Sequence, residues 1–344
     1  MSYRQRKPLN KKSIIALIIA VVVVAAALIV MNRLESWQTI QGPSDENSNA
    51  TYDIGGVDCY KKQNIETYLF MGIDNYSFDQ EIEEGDTRSP GQNDTNILLI
   101  IDRSADTYTT LSIDRNTIVQ VPLGNSEIGD ITEGAMQLAL AYAMGGGGED
   151  SCTKARDAIS KLFYNQRIDG YIALKMDSIQ TINHLLGGVT VTIEDDFSKV
   201  DPSLKKGATI TLTDEQAESF VRSRKGVADG ENANRVSRQD AFIEAARQQF
   251  IEKMKSDESF VEEALEQLEP YMETNLTGSN LSKIAKSVSS DTKVDPPEMK
   301  ANTNNDGLNG FAETYYEQNS FDKGVIELFY KPVNPEDLSI LEDE

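Results

Sequence analysis

Histidine and cysteine are scarce in this chain, and basic residues are outnumbered by acidic ones. Among 344 residues there are one histidine, His184, and two cysteines, Cys59 and Cys152. One histidine makes a Ser-His catalytic pair improbable and is too few for a multi-histidine metal centre. No C-x-x-C or zinc-binding spacing occurs. We expect His184, which stands beside two leucines, to be a packing residue with a satisfied hydrogen bond. The formal net charge of -23 argues against nucleic acid as a partner.

The N-terminal region carries one long apolar run. Residues 1–12 hold five basic residues and no acid, and Ile14–Met31 is apolar throughout. That run is long enough for a helix that spans roughly 27 Å of hydrocarbon. The basic tail predicts an uncleaved signal anchor, a single pass through the cell membrane with the N-terminus in the cytoplasm and the remainder outside. A cleaved signal peptide is the alternative, although its apolar region is normally about 7–15 residues long.

The rest of the chain shows no mid-chain linker long enough to mark a second domain. Residues 35–60 are rich in Ser, Asn, Asp and Gly, so ordered structure is expected to begin near Ile65. Outside the cytoplasm two cysteines most often form one disulfide, and we expect Cys59 to pair with Cys152. The predicted segments are a cytoplasmic tail (1–12), a transmembrane anchor (13–31), an extracellular linker (32–64), one folded domain (65–335) and an acidic C-terminal tail (336–344).

Strand and helix periodicities alternate along the folded part, which predicts an α/β layered fold with a mixed sheet. Thr95–Ile101 is nearly continuous apolar sequence, typical of a strand covered on both faces, and it precedes the alternating run Thr107–Ile113. These two strands are expected to form a hairpin. Asp94 precedes the first strand and Asp114-Arg115-Asn116 follows the second, so both points should lie at one end of the sheet. Further strands are predicted at 67–71, 171–174, 189–193 and 209–212, and helices at 133–144, 149–164, 176–186, 214–222, 260–271 and 280–288.

A cluster of cations lies within Phe220–Phe242 of this acidic chain: Arg222, Arg224, Lys225, Arg235 and Arg238. If a helix begins near Asn232 or Asn234, then Arg235, Arg238 and Gln239 share one face. Two arginines in a first helical turn lie at the positive end of the helix dipole, which is unfavourable unless an anion binds there. One interpretation is therefore a phosphate or pyrophosphate site. The other is a solvated network in which the arginines pair with neighbouring carboxylates.

Several motifs in a fixed order resemble those of the LytR-CpsA-Psr family, and the anchor fits the same family. The similarity covers roughly residues 65–332. The motifs are FMGID at Phe70–Asp74, Asp-Thr at 94–95, LSIDRNT at Leu111–Thr117, LLGGVTVTI at Leu185–Ile193, FVRSR at Phe220–Arg224 and NRVSRQDAFI at Asn234–Ile243.

The resemblance implies an α/β/α sandwich with a central mixed sheet, whose apolar pocket holds a polyprenyl chain. The pyrophosphate head would lie at the pocket mouth on arginines with a magnesium ion, Mg²⁺. Members of the family transfer glycopolymers, such as teichoic acid or capsular polysaccharide, from an undecaprenyl-pyrophosphate carrier to peptidoglycan. The expected partners are therefore the undecaprenyl-pyrophosphate-linked glycan, peptidoglycan and the membrane.

Individual positions carry over as follows. Asp74 matches the aspartate of the family's G-x-D, Asp94 matches its metal-associated aspartate, and Arg115 matches the arginine of its P-R-D-T. These three are the candidate catalytic residues. The candidate pyrophosphate ligands are Arg115, Arg222, Arg224, Arg235, Arg238 and Gln239.

The chain departs from the family pattern at the second metal-associated carboxylate. P-R-D-T is replaced here by Asp114-Arg115-Asn116-Thr117, so Asn116 offers an amide oxygen without charge. Metal affinity should fall as a result, because Mg²⁺ prefers charged hard oxygens. Asp114 is the candidate replacement, since residues i and i+2 of a strand face the same side.

This departure keeps a second function open, that of a non-catalytic polyprenyl-pyrophosphate-binding or regulatory protein of the cell envelope. A third interpretation keeps the enzyme but makes the acceptor a protein hydroxyl. The strand-end aspartates have the alternative of ordinary turn or cap residues. The apolar stripes of 133–144 and 242–254 either line a lipid pocket or form plain core.

Overall fold

The structure is a computed structural model. It describes residues 50–74, 91–123, 132–223, 226–227, 260–305, 307 and 311–342, with shorter stretches at 237–238, 241–242, 245–246, 248–250, 252–253 and 256–257. The predicted tail and anchor (1–31) lie outside these ranges. None of the helices within them combines the length and the apolar character that crossing a membrane requires.

Two compact units make up the described chain. The larger contains residues up to 174, 273–276 and 287–342, and the smaller contains 175–272 and 277–286 with the gaps given above. The chain leaves the larger unit and returns to it without a composition change. The sequence therefore carries no linker signal at any of these crossings.

A six-stranded mixed sheet forms the centre of the larger unit. Its strand order is β11-β8-β3-β4-β5-β12, with β3 and β4 antiparallel, β4 and β5 antiparallel, and β5 and β12 parallel. The predicted hairpin and the mixed α/β class are thereby confirmed. The strands are β3 (Ile65–Asp74), β4 (Gln92–Asp102), β5 (Thr107–Ile113), β8 (Gly170–Lys175), β11 (Met272–Thr274) and β12 (Thr292–Lys293).

Strand β4 supplies the central part of the hydrophobic core. Its residues Ile97–Ile101 are all buried, as the unbroken apolar run predicted for a strand covered on both faces. Leu98 and Ile100 pack in one cluster with helices α1 (Gly148–Leu162) and α6 (Gln318–Phe329). Each fully buried Leu or Ile contributes roughly 1.5–3 kcal/mol to folding, so this run is a large part of the core of the larger unit.

The expectation that order begins near Ile65 is wrong. Strands β1 (Thr51–Ile54) and β2 (Val57–Lys61) form a hairpin that is extended by β15 (Tyr330–Pro332). Gly55 and Gly56 both have positive φ, at 62° and 84°, which is the requirement of a two-residue hairpin turn. The Gly-Gly pair, interpreted as part of a linker, is the turn itself.

The helix predicted over 133–144 is also wrong. Glu133–Gln137 forms strand β7, which pairs with β6 (Ile118–Pro122), and two short 3-10 turns follow at Leu138–Leu140 and Ala143–Gly145. Ala and Leu favour helix locally, but pairing with β6 overrides that preference. The proposed lipid-lining helical stripe therefore does not exist in this stretch.

The predicted disulfide is likewise contradicted, because Cys59 and Cys152 are both thiols. Each is fully buried in the core of the larger unit and packs as a small apolar side chain. Burial raises the pKa of the Cys59 thiol to about 11, so it is protonated and unreactive at neutral pH.

The remaining predicted elements are confirmed with small shifts at their ends. The C-terminal segment Gln318–Pro332 is helix α6 followed by β15. Pairing of Ala301–Asn304 (β13) with Glu313–Tyr316 (β14) adds a further hairpin. The smaller unit contains α2 (Ser178–Leu186), β9 (Thr190–Thr192), β10 (Thr209–Thr211), α3 (Asp214–Arg222), α4 (Phe260–Leu268) and most of α5 (Gly278–Ser290), and the described residues at 237–256 are helical.

Candidate active site

A β-bulge places Asp94 at the edge of the central sheet. Strands β3 and β4 are in register up to Gly72 opposite Thr95, but Ile73 lies opposite Asn93. Asp94 is therefore the extra residue of β4. Bulges re-aim side chains and are common beside active sites. A Cβ on Gly72 would approach the Thr95 side chain to 3.1 Å, which accounts for glycine at this position.

Two buried amides hold the bulge in shape. Asn93 donates from Nδ2 to Asn96 Oδ1 at 2.6 Å, and Asn96 donates back to the Asn93 carbonyl at 2.8 Å. The Asn93 Oδ1 also accepts from the backbone N–H of Tyr142 at 3.1 Å. Buried amides are retained only when bonded, so this pair fixes the backbone on both sides of Asp94.

Arg115 bridges Asp94 and Gln92. Its Nη1 lies 2.6 Å from Asp94 Oδ1, and its Nη2 donates to Gln92 Oε1 at 2.7 Å. The arginine and aspartate side chains are 30% and 22% exposed, so solvent and ligands reach both. The prediction that the start of β4 and the end of β5 meet at one end of the sheet is confirmed by this contact.

The Asp114–Thr117 segment is a turn rather than a strand. Strand β5 ends at Ile113, and Asp114 Oδ1 accepts from the Asn116 backbone N–H at 2.7 Å. The alternation argument that let Asp114 replace the missing carboxylate therefore does not apply here. Asn116 Oδ1 accepts from Gln137 Nε2 at 3.1 Å. Burial, with Asp114 nearby, raises the pKa of Tyr316 to about 12.

Backbone contacts from the stretch after β7 hold this turn. The N–H groups of Leu138 and Ala139 donate to the carbonyls of Thr117 and Arg115 at 2.8 and 2.9 Å. The misassigned stretch thus has a specific role, because it orients the loop that carries Arg115 and Asn116.

Asp74 is the last residue of β3, and its backbone pairs with Gln92. The sequence placed it just past the strand, and the structure places it at the strand's end. It therefore lies at the same sheet edge as Asp94. We define the strand-end cluster as Asp74, Gln92, Asp94, Arg115 and Asn116.

Magnesium fits this cluster only in a limited sense. Among the residues that the structure describes, no group of three or more His, Cys, Asp or Glu side chains is placed to hold a metal ion. Mg²⁺ often binds through one or two carboxylates and completes its shell with phosphate oxygens and water. The partly exposed Asp94 fits a site of that kind, which a bound phosphate would complete.

Two of the predicted arginine ligands, Arg222 and Arg238, are among the described residues of the smaller unit. Arg238 is almost fully buried. Its side chain is 5% exposed and lies 2.5 Å from Asp195 through Nη1. Its Nε donates to the Phe220 carbonyl at 2.9 Å, and its Nη2 donates to the Ser223 carbonyl. The guanidinium also lies over the Phe197 ring, 5.2 Å from the centroid. Arg238 thereby satisfies carbonyls at the C-terminal end of α3, which would otherwise lack donors.

Arg222 ends α3 and pairs with two carboxylates. Its Nη1 lies 2.9 Å from Glu218 Oε1, one helical turn earlier, and its Nη2 lies 3.5 Å from Asp177 Oδ1. The side chain is 15% exposed. For Arg222 and Arg238 the interpretation as arginines paired with carboxylates therefore describes the structure. Arg224, Arg235 and Gln239 lie outside the described residues, so their role as pyrophosphate ligands stays a prediction.

The start of α3 is as predicted. Thr213 Oγ1 accepts from the Gln216 N–H at 3.2 Å, and Gln216 Oε1 accepts from the Thr213 N–H at 3.0 Å, a complete capping box. Phe242, Ala246 and Phe250 are buried in the core of the smaller unit. That placement agrees with the plain-core interpretation of the 242–254 stripe.

His184 is not the packing residue that the sequence suggested. Its side chain is 73% exposed, with Nδ1 3.2 Å from Asp214 Oδ2. On α2 the neighbouring Leu185 and Leu186 face inward, and His184 faces outward. The error came from chain neighbours, which in a helix do not share a face.

A family model described as the LytR_cpsA_psr family matches residues 30–326. The chain belongs to this family. The expectation from the ordered motifs is confirmed.

Two curated proteins similar to this LytR_cpsA_psr chain are named polyisoprenyl-teichoic acid–peptidoglycan teichoic acid transferases. TagU of Oceanobacillus iheyensis is 29% identical over 212 residues, which are 60% of this chain and 58% of TagU. TagV of Bacillus subtilis is 29% identical over 217 residues, which are 60% of this chain and 49% of TagV. The matched segment therefore spans 58% of TagU and 49% of TagV.

Solved structures show the same fold. The crystal structure of Bacillus subtilis TagV matches with a TM-score of 0.50 at 22% identity, over 81% of this chain and 98% of that chain. The structure of gbs0355 from Streptococcus agalactiae matches with a TM-score of 0.52 at 19% identity, over 82% and 96%. The LytR_cpsA_psr chain thus has a mixed α/β fold with a central mixed sheet.

Four residues that shape or contact the strand-end cluster were not predicted from the sequence: Gln92, Asn93, Asn96 and Gln137. A signal was present, because Gln92–Asn96 (QNDTN) is a polar run at the start of an otherwise apolar strand. Five consecutive polar residues before a fully buried run indicate that this strand end has a role other than core packing. Gln137 left no such signal, because its position depends on a tertiary pairing.

Proposed function

We propose that this chain is a membrane-anchored extracellular phosphotransferase. Its substrate would be a glycopolymer of the teichoic acid or capsular polysaccharide type, linked to undecaprenyl pyrophosphate, and its acceptor would be peptidoglycan. The names of TagU and TagV describe transfer of teichoic acid between a polyisoprenyl-linked form and peptidoglycan, which supports the reaction class. The basic tail and the apolar run at 14–31 support the anchor, and the α/β/α sandwich is the finer architecture that the proposal assumes.

The observation that carries the proposal is the Arg115–Asp94 pair on the bulge. An arginine fork presents several donors and matches phosphate oxygens two at a time. Here it is held from behind by Gln92 and Asp94 and retains an exposed portion. A preoriented cation of this kind stabilises charge on a transferring phosphoryl group without reorganising during the reaction.

In the proposed reaction, a muramic acid hydroxyl attacks the phosphorus atom that carries the glycan. The new phosphate ester bond forms as the bond to the bridging oxygen of the pyrophosphate breaks, and polyprenyl phosphate leaves. The hydroxyl proton passes to Asp94 or Asp74, both at the same sheet edge. Arg115 binds the pyrophosphate, and Arg222, Arg224, Arg235 and Gln239 are further candidates by resemblance to the family.

Magnesium is part of the proposal. When bound, it would neutralise phosphate charge, with Asp94 as the protein carboxylate and Asn116 or Asp114 as a weaker contributor. Asn116 already accepts from Gln137, and Asp114 already accepts from the Asn116 N–H, so each has only part of its oxygen capacity left for an ion.

The deciding experiment incubates the purified chain with a polyprenyl-pyrophosphate-linked glycan, peptidoglycan fragments and Mg²⁺. Release of polyprenyl phosphate together with glycan-modified peptidoglycan supports the transferase. Omission of Mg²⁺, and the variant Arg115→Ala with an unchanged melting curve, are the matched controls. A wild-type chain that neither binds nor converts the lipid contradicts the proposal.

One observation favours the second candidate function, a binding or regulatory protein. The family carboxylate is replaced by Asn116, whose amide oxygen is committed to Gln137. In that case the same assay returns intact lipid bound to the protein at all Mg²⁺ concentrations. Transfer to a protein hydroxyl, the third alternative, would give a glycan-modified protein acceptor.

A further inference from the structure

The β13–β14 hairpin is attached directly to the strand-end cluster. The Thr314 N–H donates to the Asn116 carbonyl at 2.9 Å, and Thr314 also forms a parallel bridge with Thr117. Gln137 connects the two parts again, because its Nε2 donates to Asn116 Oδ1 and to the Ala312 carbonyl at 2.6 Å. The hairpin is therefore a fixed neighbour of the turn that carries Arg115.

The two faces of this hairpin differ in character. Thr314 is buried, and Tyr316 packs on Phe321 with ring centroids 4.8 Å apart. On the other face Tyr315 is 50% exposed, and Phe311, which precedes β14, is 63% exposed. Large aromatic side chains exposed in a hairpin and just before it are candidates for contact with a partner.

Amides and a carboxylate accompany these rings. In the hairpin register Asn302 lies opposite Tyr315, and Asn304 lies opposite Glu313, so their side chains project to the same face as Tyr315. Tyr315 donates from its hydroxyl to Glu313 Oε2 at 3.1 Å. We define the hairpin face as Asn302, Asn304, Phe311, Glu313 and Tyr315.

The chemistry of this face suits a sugar. The aromatic rings provide flat apolar surfaces against which the C–H face of a pyranose can stack. Asn302 donates to Glu317 Oε1 at 3.2 Å, and its amide oxygen is an acceptor of the kind that sugar hydroxyl groups bind. Residues 301–317 contain no lysine or arginine. With Glu313 and Glu317 present, the face repels a polyanion such as a phosphate-containing polymer. An uncharged glycan strand is the ligand that fits both its composition and its charge.

We propose that the hairpin face is a subsite for the glycan strand of the acceptor, and that it delivers the acceptor hydroxyl to the strand-end cluster. This inference rests on the proposed transferase function. Because the hairpin is bonded to the Asn116 turn, a strand lying on it comes to the sheet edge at which Asp94 and Arg115 are located. The face thereby determines which polymer serves as acceptor.

The test uses a peptidoglycan-derived tetrasaccharide as probe and the variants Phe311→Ala and Tyr315→Ala. Titration calorimetry should show about tenfold weaker tetrasaccharide binding for each variant, the scale of one aromatic contact. In the transfer assay the KM for the acceptor should rise by a similar factor, with kcat at saturation and binding of polyprenyl pyrophosphate unchanged. Tyr315→Phe keeps the ring and should retain most of the affinity.

Tyr52→Ala is the matched control, because Tyr52 is a comparably exposed tyrosine (39%) on the β1–β2 hairpin of the same unit. It should change none of these quantities, and circular dichroism melts should show that all variants fold. Weaker binding of a teichoic-acid-type polymer, with tetrasaccharide binding intact, would assign the face to the donor and overturn the inference.

The two proposals fail separately. If the wild-type chain transfers glycopolymer but Phe311→Ala and Tyr315→Ala leave the acceptor KM and tetrasaccharide affinity unchanged, the hairpin face is not the subsite and the transferase stands. If the wild-type chain binds tetrasaccharide through Tyr315 but transfers nothing, the subsite stands as a binding surface and the transferase does not.

Discussion

Arg115 and Arg238 are both paired with an aspartate, but they differ in solvent exposure and in the atoms that they contact. Arg115 has a side chain 30% exposed, and its guanidinium contacts the side chains of Asp94 and Gln92 among the described residues. Arg238 has a side chain 5% exposed and contacts two backbone carbonyls as well as Asp195. An arginine bonded to backbone determines the path of the chain, whereas one held by side chains at an open edge presents its charge to a ligand.

The same distinction separates the two interpretations of the arginines that the sequence left open, a phosphate site and a network paired with carboxylates. Charge pattern alone cannot separate a phosphate-binding arginine from a structural one, because both have the same side chain and the same acidic surroundings. Burial and the identity of the acceptor atoms separate them. Arg222, 15% exposed with two carboxylate partners, is intermediate between the two.

The largest expected effect is on stability, in Arg238→Ala. The change leaves Asp195 without its cation and the Phe220 and Ser223 carbonyls without this donor. Loss of one partner of a buried pair costs about 3–5 kcal/mol, which urea unfolding will measure. Arg156→Ala, which removes a more exposed arginine paired with Asp157, should cost under about 1 kcal/mol. Equal midpoints for the two variants would erase the difference between buried and exposed arginines.

Arg115→Ala should act on ligand binding rather than on stability. We expect affinity for polyprenyl pyrophosphate to fall by about 1.5–3 kcal/mol, the value of a hydrogen bond to a charged group. The free energy of unfolding should change by less than about 1 kcal/mol, because the pair is partly solvated. Calorimetry with the lipid and urea unfolding measure the two quantities. A variant that loses stability and keeps its affinity for the lipid would show that Arg115, like Arg238, has a structural role.

Asn116→Asp should sharpen the metal assignment at the strand-end cluster. A carboxylate at this position can still accept from Gln137 Nε2 and adds the charge that Mg²⁺ prefers. The Mg²⁺ concentration for half-maximal transfer should fall about tenfold, roughly 1.4 kcal/mol. Asp114→Asn, which keeps an oxygen for the Asn116 N–H, should leave that concentration nearly unchanged. A large effect of Asp114→Asn instead would assign the metal contact to Asp114.

The smallest effect is expected from Thr213→Ala, at the opposite end of α3 from Arg222. Loss of the capping hydroxyl should destabilise the fold by about 1 kcal/mol. Thr213→Ser keeps the hydroxyl and should restore most of that stability in the same urea measurement. Lipid affinity should not change, because Arg222 keeps its contacts to Glu218 and Asp177. A cap variant that weakens lipid binding more than it weakens folding would show that α3 positions Arg222 for the ligand.

Much of the fold was readable from local patterns. The apolar run of β4 and the alternation of β5 predicted those strands correctly, because hydrophobic periodicity acts over a few residues. The family was likewise evident, since six motifs occur in order. Local chemistry also indicated that Asp94 and Arg115 would meet, because antiparallel neighbours bring the start of one strand to the end of the next.

What only the tertiary structure decided depends on partners distant in the chain. The 133–137 stretch is a strand because β6 lies beside it, and the Gly55-Gly56 turn became visible only with β15 closing the sheet. Asp94 occupies a bulge because Asn93 and Asn96 are buried against Tyr142. Burial made Arg238 a structural residue and left Arg115 open to a ligand. A side chain's type is fixed by sequence, but its solvation is fixed by everything that packs around it.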